Sequence, residues 1–219
     1  MKRFLRKNAW GVLLLSGMIV ATVAWAFDKH DWKKRDKWQN APGIFKAMEI
    51  DAGSYVADIG AREGYLSVRL AKTVGDAGRV FAVDIDKDAL KKLKKTAREM
   101  GLENIQTVHS KEDDPMLSEN TLDAIVIVNS YHEFDEYESM LKHMKAALKK
   151  GGRLVLVEPI SKRRRDSSRS TQESSHELGM NYARKDLEAA GFEIIKQRDP
   201  FVKRKSQNDE MWLLVGRKH

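Results

Sequence analysis

The chain has 219 residues, 40 Lys+Arg against 32 Asp+Glu, a net charge of +8 and no cysteine. That length bounds it to one domain, or one domain with an appendage. The absent cysteine excludes a disulfide framework, a thiolate metal site, an iron–sulfur cluster and a cysteine nucleophile. A hydrophobic share of 42% suits a globular core but not a polytopic membrane protein, and mixed charge with aromatics argues against global disorder.

In chain order, the first element is a targeting segment. Lys2, Arg3, Arg6 and Lys7 precede an apolar run from Ala9 to Phe27, and Ala24-Trp25-Ala26 offers a small-x-small cleavage pattern after Ala26. Residues 1–26 are therefore read as a signal peptide and the domain as periplasmic or secreted. The alternative is a membrane anchor through residues 9–27, which is long enough to span. Five basic residues follow the run (Lys29, Lys33, Lys34, Arg35 and Lys37), so the balance of flanking charge does not fix the orientation of an anchored form. Without residues 1–26 the net charge falls from +8 to +4. Nucleic acid becomes an unlikely partner.

Residues 27–42 form an N-terminal arm with irregular or helical pieces, and 43–219 the domain. Gly43–Ile50 is a short amphipathic helix. Tyr55–Ile59 is a buried-type strand, and Leu66, Leu70 and Val74 mark a helix over Gly64–Val74. Arg79–Val83 is a second strand. A Lys-rich helix, Asp86–Met100, stops at Gly101. Ile105–Val108 and Leu122–Val128 are strands three and four, Asp135–Lys149 a helix, and Arg153–Val157 strand five. Ser161–Thr171 has no apolar residue and is predicted to be a mobile loop. Glu173–Ala190 is a helix, and Phe192–Gln197 with Glu210–Val215 a closing antiparallel hairpin. Alternating apolar strands and helices predict an α/β fold: a doubly wound, mostly parallel seven-stranded sheet, helices on both faces, ending in that hairpin.

Ligands of open parallel sheets bind beyond the carboxyl ends of the strands, near the switch in strand order. Three sequence features belong there. Asp58 to Gly64 leaves strand one with glycines at 60 and 64 and enters a helix whose first N–H groups are free. Asp84 ends strand two, where a carboxylate accepts ribose hydroxyls. His109 to Pro115 leaves strand three, with side chains placed to face a base. A dinucleotide fold needs G-x-G-x-x-G, but from Gly60 this chain reads Gly-Ala-Arg-Glu-Gly-Tyr, so NAD and FAD fit poorly.

The Asp58/Gly60/Gly64 pattern resembles the first motif of the class I, Rossmann-like S-adenosylmethionine-dependent methyltransferases, with Arg62 in place of the middle glycine. The resemblance runs over roughly residues 38–217. It includes Val80–Asp84, Leu122-Asp123 and Leu148–Val157. The chain looks most like the bacterial predicted-methyltransferase branch, which often carries a signal peptide and Tyr-His-Glu after strand four. The resemblance implies S-adenosylmethionine as cofactor. Asp58 and Gly60 would lie by its methionine part, and Gly64 would allow the tight helix entry. Asp84 would hold the ribose, Ile85 would pack on the adenine, and Glu112 or Asp113 would approach the adenine amine. Ser110 stands where many members have an acid. Arg62 would either crowd the cofactor or clamp its carboxylate.

Asn129 would sit nearest the methyl group. His132 is the candidate general base and Glu133 its orienting or acceptor-binding partner. Glu158 and His176 are candidates to line an acceptor pocket, although His176 is read first as a surface-helix residue. His132, Glu133, Glu158 and His176 lack the short-range spacing of metal ligands, so no metal site is predicted. Lys162-Arg163-Arg164-Arg165 lacks interleaved aromatics for base stacking and is read first as a solvated loop; this run and the N-terminus are also the candidate membrane-surface contacts. Two functions compete: methyl transfer to an unidentified small-molecule or envelope acceptor, or a catalytically inactive relative that binds a nucleoside-type ligand.

Overall fold

The structure, a computed structural model, describes residues 30–205 and 208–219. The expected signal peptide at 1–26 and its anchor alternative at 9–27 lie outside these residues. Among the described residues no helix is long and apolar enough to cross a membrane.

The elements follow the sequence pattern closely. They are α1 (His30–Gln39), α2 (Ala41–Met48), β1 (Tyr55–Ile59), α3 (Tyr65–Val74), β2 (Arg79–Asp84), α4 (Lys87–Glu99), β3 (Ile105–His109), β4 (Leu122–Val128), α5 (Tyr137–Ala147), β5 (Leu148–Ile160), α6 (Arg169–Glu173), α7 (Met180–Ala189), β6 (Glu193–Arg204) and β7 (Asp209–Arg217). Short 3-10 turns cover Tyr131–Glu133 and Lys162–Arg164.

One seven-stranded sheet has the order β3-β2-β1-β4-β5-β7-β6. Strands β1 to β5 pair in parallel, and β7 runs antiparallel to both β5 and β6. The predicted α/β sheet with a terminal hairpin is what the chain forms. The hairpin strands are longer than Phe192–Gln197 and Glu210–Val215, because polar residues of β6 pair along an exposed edge that hydropathy does not mark.

Successive residues of a strand face opposite sides, and β4 shows the consequence. Ala124, Val126 and Val128 pack with Ile44, Met48 and Leu70 of α2 and α3. Ile125 and Ile127 pack with Met140, Leu141 and Met144 of α5 and Leu187 of α7. Both faces are thus covered, which explains why β4 reads as a continuous apolar run.

The arm takes the helical of its two expected forms, and two other local expectations need correction. The arm contains a regular helix, α1, which the tertiary contacts of Trp32 and Tyr65 hold in place: their rings meet edge to face at 5.8 Å. The predicted mobile loop Ser161–Thr171 is folded into a 3-10 turn and the start of α6. Its arginines are tied to distant acids: Arg164 to Glu177 at 2.8 Å, Arg165 to Asp199 and Glu210 at 2.6 and 3.0 Å, and Arg169 to Asp186 at 2.8 Å. Only Lys162 and Arg163 of the four-residue basic run stay exposed. The helix predicted over Glu173–Ala190 is broken, with a turn between α6 and α7 that contains His176 at φ 55°.

Candidate active site

The strand order reverses between β1 and β4, so a crevice opens past their carboxyl ends. Segments leaving β1, β2 and β4 converge there.

The loop after β1 turns sharply. Gly60 takes φ 75°, and a Cβ at this position would meet Ser130 Oγ at 2.3 Å. Gly64 starts α3 at φ 87°, where a Cβ would strike Leu93 Cγ at 2.6 Å. Both glycines are required by their own packing as well as by their φ. Gly60 and Ala61 donate backbone N–H bonds to Val83 O at 2.9 and 3.0 Å, which docks the loop on β2.

Asp84 completes that docking. Its Oδ2 accepts from Arg62 N at 2.7 Å and its Oδ1 from Asp86 N at 2.9 Å. One acceptor direction per oxygen is left over, two in all, which suits the vicinal hydroxyls of a ribose. The capping of α4 falls instead to Asp86, which accepts from Asp88 N and Ala89 N at 2.9 and 3.0 Å. Ile85, next to Asp84, is 60% exposed, an apolar face available to a flat base.

Asp58 is buried and accepts from Ser67 Oγ at 2.6 Å. Burial pushes its carboxyl up to about 6, against the opposing pull of the Ser67 bond and the Arg35 charge. Arg35 is the residue that the sequence did not bring forward. Helix α1 lays it over the Tyr65 ring, 4.5 Å from the centroid, in the field of Asp58. Burial pulls its guanidinium below the ordinary arginine value, with Asp58 opposing. Asp36 secures α1 by accepting from Tyr65 OH at 2.7 Å and Arg69 at 2.6 Å.

Arg62 keeps the left-handed conformation of the glycine it replaces, at φ 46°. Its side chain is exposed and makes no hydrogen bond among the described residues. Glu112 and Asp113 are exposed and share an open depression of about 620 Å³ with Glu136 and Ser139 at the start of α5. No hydrogen bond joins them to Asp84. Their neighbour Ser110 does bond there, its N–H donating to Asp84 O at 3.1 Å. A groove of about 680 Å³ between α5 and α7 is lined by Lys142, Lys145 and Lys218 and by no residue of the crevice.

The other edge of the crevice follows β4. Asn129 is exposed at φ 56°, with its side-chain amide unbonded among the described residues. Glu158, fully buried on β5, organises the next turn. Its Oε1 accepts from Ser130 N at 2.7 Å and Tyr131 N at 2.9 Å, and its Oε2 from His132 Nδ1 at 2.6 Å. His132 is buried behind Glu133, with Nε2 3.1 Å from Glu133 Oε1. Burial alone would lower His132; the bond and charge of Glu158, joined by Glu133, outweigh it and raise the imidazole above its ordinary value. Burial would raise Glu133, but the two histidines hold it below the usual carboxylate value. The second of them is His176, whose Nδ1 lies 2.8 Å from the same Oε1. The fold therefore gathers all four residues that the sequence could only enumerate. Although their spacing along the chain is not that of metal ligands, His132, Glu133 and His176 present ligand atoms within 4.8 Å of one another.

Comparison with known proteins bears on the fold and on the matched domain. Residues 56–152 match the family model described as a methyltransferase domain. The chain is 26% identical over 134 residues to the demethylmenaquinone methyltransferase of Oceanobacillus iheyensis, covering 61% of this chain and 53% of that protein. It is 31% identical over 132 residues to the ubiquinone/menaquinone biosynthesis C-methyltransferase of Enterobacter sp. strain 638, covering 54% and 53%. The chain thus spans about half the length of the curated relatives it matches. A crystal structure of a SAM-dependent methyltransferase from Aquifex aeolicus superposes with a TM-score of 0.72 at 20% identity, over 91% of this chain and 98% of that one. The sheet, its closing hairpin and the matched segment from β1 into β5 together give this chain the Rossmann-like fold of the class I methyltransferases, with a methyltransferase-domain match over residues 56–152.

Proposed function

We propose that the chain is an S-adenosylmethionine-dependent methyltransferase acting on a small-molecule acceptor. The observation that carries this reading is Asp84: a strand-end carboxylate that positions the motif loop through Arg62 N and still has two acceptor directions for a ribose. Bound S-adenosylmethionine would supply an electrophilic methyl group on sulfur, and the protein would supply placement. Ile85 offers an apolar face for the adenine, and the loop at Gly60 gives close backbone approach. Arg35 is the better-placed cation for the carboxylate of the methionine moiety, since it is partly buried beside Asp58 while Arg62 is exposed.

On the acceptor side, Asn129 reaches the crevice edge with a free amide, and His132 is held by Glu158 at Nδ1 while its Nε2 meets the exposed Glu133, the group an acceptor or a cation would engage with it. The named relatives act on quinone precursors, and a ring-bearing small molecule is a reasonable acceptor class to screen first. Arg62, which departs from the family motif, favours the second reading, a non-catalytic nucleoside-binding relative.

Calorimetry of the purified chain with S-adenosylmethionine and S-adenosylhomocysteine tests the cofactor reading. Binding with micromolar Kd is expected, weakened about 100-fold in Asp84→Ala, since two hydroxyl bonds to a charged acceptor are lost. No heat at millimolar ligand would sink it. Tight binding without methylation of any screened acceptor would favour the non-catalytic relative.

A further inference from the structure

We infer that His132, Glu133 and His176 form a three-ligand site for a divalent first-row transition metal, with Glu158 orienting His132 from behind. The donor atoms are His132 Nε2, Glu133 Oε1 and His176 Nδ1. Glu133 Oε1 lies 3.1 Å from the first nitrogen and 2.8 Å from the second, and the whole set falls within 4.8 Å. Two atoms bound about 2.1 Å from one ion stand about 3.0 Å apart at a right angle and about 3.4 Å apart at the tetrahedral angle. Two of the three separations, 3.1 and 2.8 Å, lie close to the right-angle value. The third closes through Glu133 and His176, whose side chains are 57% and 74% exposed and free to adjust.

The hydrogen bonding gives an independent reason. His132 Nδ1 donates to Glu158, which already takes two backbone N–H bonds. Nε2 faces the Glu133 carboxylate oxygen at 3.1 Å. His176 brings a second ring nitrogen to the same oxygen. Two ring nitrogens and one carboxylate oxygen thus converge on one small volume, as a ligand set does. A carboxylate bonded to the far nitrogen of a metal-binding imidazole is also the usual outer-shell arrangement, because it fixes the ring and raises its basicity.

Two imidazoles and one carboxylate suit zinc, iron(II), cobalt or manganese better than magnesium or calcium, which prefer all-oxygen sets. Three protein ligands leave at least one position open. The cluster lies past the carboxyl end of β4, so that open position is available to an oxygen of the acceptor. This role rests on the methyl-transfer reading; metal binding itself does not.

The test is titration of chelator-stripped full chain with Zn2+, and with Co2+ followed by its visible absorption. One equivalent is expected to bind at micromolar Kd or tighter, with nitrogen-type Co2+ bands and no competition from millimolar Mg2+. His176→Ala and Glu133→Gln, both at exposed positions, are expected to weaken binding at least about 10-fold, while metal-free thermal unfolding stays as in the parent. Glu158→Gln should weaken it by about 10–100-fold. Absence of binding at about 100 μM metal overturns the inference. So does binding that survives both His176→Ala and Glu133→Gln, since the ion would then sit elsewhere. Calorimetry with S-adenosylhomocysteine in the same preparation separates the two claims. Nucleoside binding without metal removes only the metal site, and metal without nucleoside removes only the methyl-transfer reading.

Discussion

The two sides of the crevice are built differently. The side proposed to hold the cofactor is assembled from short, contiguous stretches: Asp58 to Gly64, and Asp84 to Asp86. Its main bonds join neighbouring strands, as from Gly60 and Ala61 to Val83 and from Arg62 to Asp84. The acceptor side depends on residues far apart in the chain. Glu158 reaches back to Ser130, Tyr131 and His132 across 28, 27 and 26 positions, and His176 reaches Glu133 across 43. A local motif can be recognised residue by residue. A remote network becomes visible only when the strands that carry it are side by side.

Four measurements would break or sharpen this contrast. The largest effect is expected on the acceptor side. Glu158→Gln places an amide N–H₂ among three donors in a fully buried position, and should cost about 3–5 kcal/mol in urea unfolding. A loss below about 1 kcal/mol would mean that the turn holds itself without Glu158.

Asp58 gives the next effect, and its sign is the reverse of an ordinary salt-bridged acid. Its folded value, raised to about 6, lies above the unfolded one, so its contribution is complete below about pH 4 and is lost as pH rises through about 6. Asp58→Asn should abolish that loss, about 3 kcal/mol between pH 4 and pH 8. Parallel stability–pH curves for the two proteins would show that Arg35 and Ser67 hold the carboxylate charged throughout.

Gly60→Ala should cost about 1–2 kcal/mol, from the positive φ and the clash with Ser130, and Ser130→Gly in the same chain should recover part of it. Because Ser130 belongs to the acceptor side, that recovery measures how directly the two halves touch. Independence of the two substitutions would deny the contact.

Arg62→Gly is expected to do least. With an exposed side chain and a backbone already in the glycine conformation, nucleoside affinity should stay within about 3-fold by calorimetry. A large gain would mean that the guanidinium crowds the ligand, and a large loss that it clamps the carboxylate in place of Arg35.

Legibility followed the same division. The strand pattern was readable because parallel strands buried on both faces must be apolar along their whole length, as Leu122–Val128 is. Asp58, Gly60, Gly64 and Asp84 were readable because the chain itself sets their spacing. The segment Ser161–Thr171 misled because hydropathy counts its charges as solvated, whereas folding pairs Arg164, Arg165 and Arg169 with acids 13, 34 and 17 positions away. His176 misled for a related reason: α6 and α7 have helical composition on both sides of it, and only the tertiary turn stops the helix.

By itself, then, the sequence determined the layers of the fold and the placement of Asp58, Gly60, Gly64 and Asp84 at the strand ends that open the crevice. Periodicity, glycine placement and strand-end acids act over distances that the chain spans locally. Folding alone decided that Arg35 comes down beside Asp58, that a buried glutamate on β5 holds the turn after β4, and that two histidines 44 positions apart meet at one carboxylate. Those contacts depend on strand order and on how α1 and the α6–α7 turn pack against the sheet, which no spacing along the chain encodes.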